Sequence, residues 1–236
     1  MSRSTRGSRM QQHLIIDADD TLWENNIYFE RAFDEFVEFL AHSTLSPQQV
    51  REVLDEIERM NAKTHGYGSM NFGRNLRECY QRLAERHVAD EDLETVMRFA
   101  ERILEQPIEV IDDVPETLAY LAERHELTLF TKGHPEEQRL KIDRSELGRF
   151  FSHAAIVHEK DAAAYRSLVT ERGMDPSRSW MIGNSPRSDI NPALEAGLNA
   201  VFVPHARTWV LEVEDIKPGP GRLLTVSGFG DLRTYF

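Results

Sequence analysis

The sequence predicts an α/β protein: a doubly wound parallel sheet interrupted by an inserted bundle of helices. Three observations carry this expectation. Apolar runs of strand length recur, HLII at 13–16, LTLF at 127–130, AAIV at 154–157, SWMI at 179–182 and AVFV at 200–203. None alternates with polar residues, as expected where helices cover both faces of a sheet. Helical patterns separate the last four runs, and that βαβ rhythm implies parallel strands. From about Ile27 to Gln106 there is no strand signal at all, only helical periodicity.

In chain order, MSRSTRGSRMQQ (1–12) is basic with no apolar segment behind it, so it reads as a short disordered arm rather than a secretory signal. The first strand follows. Four apolar stripes then predict four amphipathic helices that can pack as a small bundle. They are Phe29, Phe33, Phe36, Val37 and Leu40; Val50, Val53, Leu54, Ile57 and Met60; Leu76, Tyr80 and Leu83; and Leu93, Val96, Met97, Ala100, Ile103 and Leu104. Ser46-Pro47 opens the second helix, with Gln49 spaced for a capping box. The stretch 61–73 reads as a loop splitting the bundle into two pairs, and Cys79 as a buried helix residue. The expected organisation is a core of residues 1–24 and 107–236 carrying a helical cap of residues 25–106. Further helices are expected from Pro115, from Pro135 to Gly148, from Asp161 to Gly173, and through NPALEA to Gly197. Proline near the start and glycine past the end mark their limits. In the tail, KPGPG (217–221) is a loop, and LLTVSGFGDLRTYF fits either a short strand or a closing helix.

Composition narrows the function. The 236 residues carry 28 Lys plus Arg against 40 Asp plus Glu, a formal net charge of −12. That acidity argues against binding nucleic acid or an anionic membrane, which needs a positive surface. No apolar run approaches the roughly 20 residues of a membrane span. The single cysteine excludes a disulfide scaffold and a thiolate zinc site, and it fits a cytoplasmic location.

The informative polar residues lie just past the carboxyl ends of the predicted strands, where open α/β sheets bind ligands. Asp17-Ala18-Asp19-Asp20-Thr21 ends the first strand. Carboxylates so close repel each other unless a cation or proton offsets them. Thr131-Lys132-Gly133 ends the second, with a hydroxyl and backbone N–H groups suited to an anion. Lys160 follows the third as a point charge suited to phosphate. Asn184 to Asp189 follows the fourth with two more oxygen ligands. Oxygen donors, a hydroxyl and a lysine around one crevice describe a magnesium-assisted phosphate site.

IIDADDTLW, Thr131 after LTLF, Lys160, and GNSPRSD resemble, in order, the four motifs of the haloacid dehalogenase-like superfamily of hydrolases. The resemblance covers about 13–23 and 127–205, and the insert resembles that family's helical cap of the first type. It implies that Asp17 is a nucleophile forming an aspartyl-phosphate, and that Asp19 is the general acid and base. It further implies that Thr131, Lys132 and Lys160 bind the phosphoryl group. Mg2+ would sit on the Asp17 carboxylate, the Asp19 carbonyl and the fourth motif, through Asn184, Asp189 or both. Asn184 departs from the family's usual Asp at its position, and Asp189 alternatively caps the next helix. Asp20 reads as a solvated loop or helix-start charge, and Glu159 as a possible partner of Lys160. His65, Tyr67, Asn71 and Phe72 are specificity candidates, because cap loops of this family face the crevice.

The expected function is a Mg2+-dependent phosphatase acting on a small phosphorylated metabolite, as a monomer or homodimer, with no nucleic-acid or membrane partner. Competing readings are a non-catalytic phospho-ligand-binding protein, which Asn184 favours, a phosphomutase, and a 2-haloacid dehalogenase. The last disagrees with Asp19, since a halide leaving group takes no proton.

Overall fold

A computed structural model describes residues 11–236, so the N-terminal arm lies outside them apart from Gln11 and Gln12. The strands are β1 His13–Ile16, β2 Glu126–Lys132, β3 His153–Val157, β4 Ser179–Gly183, β5 Asn199–Phe202 and β6 Leu223–Thr225. They form one parallel sheet in the order β3-β2-β1-β4-β5-β6. Both faces are covered. Leu14, Ile16 and Ala18 pack with Leu127, Leu129 and Ile182 on one face, while Ile15 joins Phe130 and Met181 on the other. This is the alternation of a strand whose two sides are both buried. β3 is only half-buried, because the strand order leaves it at the sheet edge.

The helices are α1 Asn26–Leu40, α2 Pro47–His65, α3 Ser69–Leu83, α4 Asp90–Glu101, α5 Val114–Ala122, α6 Pro135–Ser145, α7 Ala162–Arg172, α8 Asn191–Glu195 and α9 Leu232–Tyr235. α5, α6 and α9 lie on one face of the sheet, α7 and α8 on the other. Helices α1 to α4 enclose an apolar cluster of their own, including Phe36, Leu54, Ile57, Leu76, Tyr80 and Val96. The capping box at the start of α2 is present, with Gln49 N–H donating to the Ser46 hydroxyl and Ser46 N–H to Gln49 Oε1. Cys79 is buried in α3.

Two local expectations change. The stretch 61–73 is not a loop: α2 runs to His65 and α3 begins at Ser69, leaving only residues 66–68 outside helix. Gly66 and Gly68 make the break, with φ of 75° and 109° in the region that favours glycine. The tail holds both alternatives, β6 and α9.

The strand order positions the site. From β1 the chain builds outward through β2 and β3, then returns to β4 on the other side of β1. The crevice at that reversal is where open α/β sheets bind ligands. The connections to and from α1–α4 run side by side beside it, Glu24 N–H donating to Glu109 and Ile111 N–H to Leu22.

Candidate active site

β1 ends at Ile16, in register with Ile182 of β4, and the Asp17 amide continues the pairing onto the Ile182 carbonyl at 3.0 Å. Asp17 is therefore set beside Asn184, which follows β4. The Thr21 hydroxyl donates to Asp17 Oδ2 at 2.8 Å and lies 3.2 Å from Asn184 Oδ1, so both oxygens face one point. The Asn184 amide nitrogen is held by the Thr208 hydroxyl at 2.9 Å.

Lys160, buried, donates to Asp17 Oδ1 and, at 2.8 Å, to Asp189 Oδ1. Burial alone pushes an ammonium toward losing its proton, but the charges of Asp17 and Asp189 outweigh it and hold Lys160 protonated. One ammonium shared by two carboxylates leaves one of them short of charge. Burial, then the charge of Asp17, pushes the Asp189 carboxyl up to about 7, although Lys160 and the Ser185 amide oppose it.

Asp19 lies two residues on, and α6 grips it from the far side of the crevice. Lys141 Nζ lies 2.7 and 2.6 Å from its two oxygens, Gln138 Nε2 donates at 3.1 Å, and Trp23 Nε1 at 2.8 Å. Gln138 also donates to the Thr131 hydroxyl oxygen at 2.6 Å. The sequence reading missed Lys141 and Gln138. Their spacing within a helix that starts three residues past β2 was the available signal, because such a helix begins at the crevice.

Lys132 lines the cavity, with its ammonium bonded to Ser188 at 2.8 Å and to the buried Glu212 at 2.5 Å. Burial would raise the Glu212 carboxyl, but Lys132 and the serine hydroxyls hold it below its usual value. Glu159 pairs with Lys132 at 3.5 Å and accepts from the Tyr67 hydroxyl, rather than neutralising Lys160. Asp20 is buried, not solvated. With φ of 58° it turns its carboxylate onto the Asn25 and Asn26 amides, at 2.9 and 3.0 Å, where α1 begins. Burial pushes that carboxyl up to about 7. Asp20, Glu24 and His205 also group closely enough to offer three ligand atoms to a metal.

A cavity of about 160 Å³ brings Asp17, Asp19, Thr131, Lys132, Lys160, Asn184 and Asp189 to one space. Tyr67, Asn71 and Phe72 line it from the helical side, whereas His65 is exposed and outside the lining. The ring of Tyr67 meets that of Trp209 edge-on at 6.2 Å.

Comparison with known proteins places the chain in a family. A family model described as haloacid dehalogenase-like hydrolase matches residues 12–197. The phosphoserine phosphatase of Thermus thermophilus is 31% identical over 131 residues, which are 52% of this chain and 49% of that protein. The chain thus spans about half the length of that curated relative. A crystal structure of a haloacid dehalogenase-like family hydrolase from Xanthomonas campestris superposes with a TM-score of 0.83 at 30% identity, covering 98% of this chain and 93% of the other. The 2-haloacid dehalogenase of Pseudomonas syringae pv. tomato shares the fold, with a TM-score of 0.62 at 19% identity over 95% of this chain and 97% of that one.

Proposed function

The chain belongs to the haloacid dehalogenase-like hydrolases, and from that membership we propose that it is a magnesium-dependent phosphatase hydrolysing a small phosphate monoester, with residues 25–106 as the cap over its crevice. One observation carries the proposal: Asp17, with Lys160 on one oxygen and Thr21 on the other, faces the same cavity as an Asp19 oriented by three donors.

Asp17 attacks phosphorus and forms an aspartyl-phosphate as the ester P–O bond breaks. Asp19 gives its proton to the departing alcohol oxygen. It then takes one from the water that opens the acyl phosphate, which frees phosphate and restores Asp17. Trp23, Gln138 and Lys141 fix the orientation of the Asp19 carboxylate toward the crevice. Lys160 and Thr131 bind phosphoryl oxygens, and Lys160 offsets the charge that builds there. The donor set also fits a hard cation. Asp17 Oδ2 and Asn184 Oδ1 converge on the Thr21 hydroxyl, and these oxygens with the Asp19 carbonyl would hold magnesium. Bound there, the ion supplies positive charge that lets a carboxylate approach an anionic phosphate. The Thermus relative makes phosphoserine a first candidate substrate.

Asp19 speaks against a dehalogenase, whose leaving halide needs no proton. A binding protein without turnover rests on Asn184 alone. Hydrolysis of an aryl phosphate with and without Mg2+ separates the readings. Activity that requires the ion and disappears in Asp17→Asn is the expected result, and full activity in that variant excludes the mechanism.

A further inference from the structure

Of the buried acids that line the cavity, Glu58 is the one with a carboxylate oxygen that no described residue satisfies. α2 turns Val50, Leu54 and Ile57 into the helical core, and the next residue of that buried face is Glu58. Glu58 is 6% exposed, yet its Oε2 has no hydrogen-bond partner among the described residues. It lines the same cavity as Asp17 and Asp19.

The groups around it do not neutralise it. Arg51, two turns earlier on α2, is ion-paired with Glu30 of α1 at 2.6 Å and lies 3.6 Å from the centre of the Phe33 ring. Asp55 and Glu30 add like charge, and Trp209 brings only an indole N–H. Burial pushes the carboxyl up to about 8. A buried carboxylate oxygen without a partner is destabilising, and natural proteins keep few of them. The local charge indicates the missing partner. Glu58 and Glu30 face a single Arg51, so a cation completes the set. A hydroxyl would satisfy the lone pair only, whereas a cation also stabilises the ionised carboxylate that burial disfavours.

We propose that Glu58 is a specificity-determining residue that receives an ammonium group on the alcohol half of the substrate, so that the preferred esters are phosphorylated amino alcohols. The proposal rests on the phosphatase reading above and names the substrate class of that site. With the phosphoryl group at Asp17 and the ester oxygen at Asp19, the rest of the alcohol extends toward the helical wall that Glu58 lines.

The experiment compares kcat/KM for phosphoethanolamine and for propyl phosphate, which has a similar length and no charge on its tail, in wild type and Glu58→Gln with Mg2+. A wild-type preference for the amine of about tenfold or more is expected, carried by KM and falling to near one in the variant. No preference in wild type, or an unchanged preference in Glu58→Gln, overturns the proposal. Equal loss on both esters with a lower melting temperature assigns Glu58 a structural role and also overturns it. An aryl phosphate serves as the control. If wild type does not hydrolyse it, the phosphatase reading fails by itself. Calorimetric binding of phosphoethanolamine then decides the subsite: weaker binding to the variant supports it and equal binding overturns it.

Discussion

The position of the Asn184 amide bears directly on metal binding. Its nitrogen is anchored on Thr208, so its oxygen is turned to the Thr21 hydroxyl beside Asp17. Asp189 is committed to Lys160 and the Ser185 amide. We therefore read Asn184 as the residue that meets the ion directly and Asp189 as the one that positions Lys160. An amide oxygen brings no charge, so Asn184→Asp should lower the Mg2+ concentration needed for half-maximal activity. A magnesium titration that leaves this value unchanged counts against ligation by residue 184. Lys141 holds both oxygens of Asp19 and is a positioning residue in this reading. Lys141→Met should lower kcat by about tenfold or more with a smaller change in KM, because a misdirected general acid loses part of its contribution. Partial recovery in Lys141→Arg distinguishes positioning from loss of packing.

At the scale of elements, α6 joins the two halves of the cavity. Glu137 accepts from the Ser69 amide and hydroxyl, both at 2.9 Å, and so caps the first turn of α3 from the sheet side. Its carboxylate also sits at the positive end of that helix. The next residues of the same helix, Gln138 and Lys141, hold Asp19. Holding α3 against the sheet side and orienting Asp19 thus depend on one element. Glu137→Ala should cost about 1 kcal/mol, as loss of a helix cap does, read from urea unfolding. Gly68→Ala should act in the same direction. Its φ of 109° disfavours a side chain, and a Cβ there would lie 2.9 Å from Glu137 Oε2. Faster proteolytic cleavage near residues 66–68 in that variant, relative to wild type, is the check. Unchanged cleavage excludes the clamp.

For the whole molecule, the balance of buried charge sets the pH dependence of stability. Burial raises the Glu58 carboxyl from an ordinary 4.5 to about 8, against the counter-charge of Arg51 and with Asp55 and Glu30 adding repulsion. The folded chain therefore holds that proton more tightly than the unfolded chain. The stabilisation is complete below about 4.5 and is lost as pH rises toward about 8. Glu58→Gln removes this loss. The melting temperature of the variant minus that of wild type should widen between roughly pH 5 and pH 9, by the equivalent of up to a few kcal/mol. The titration of every other group is common to both proteins and so largely cancels in the difference. A constant gap would show that Glu58 does not carry the buried charge.

The sequence alone determined the five apolar strands, the helices between them and the four-helix insertion, because strand and helix periods and the Pro and Gly stops are written by near neighbours. It also placed Asp17, Thr131, Lys160 and Asn184 at strand carboxyl ends, and parallel pairing then necessarily brings those ends to one edge of the sheet. Where the reading was wrong, the cause was still local. Asn61 to His65 and Ser69 to Gly73 carry polar residues of loop character, yet they complete helical turns, with Asn61 bonded to Asn75 and Glu78 of α3 and Phe72 buried in the bundle. Only the tertiary structure decided which charges meet. Lys132 pairs with Glu212, Lys141 with Asp19, and Lys160 with Asp17 and Asp189, in each case across the crevice and far apart in the chain. It likewise decided that Glu58 lines the cavity with one carboxylate oxygen unsatisfied among the described residues, and that His65 lies outside the lining. Such pairings depend on the packing of one helix against another, and a helix's own period does not record which neighbour it will face.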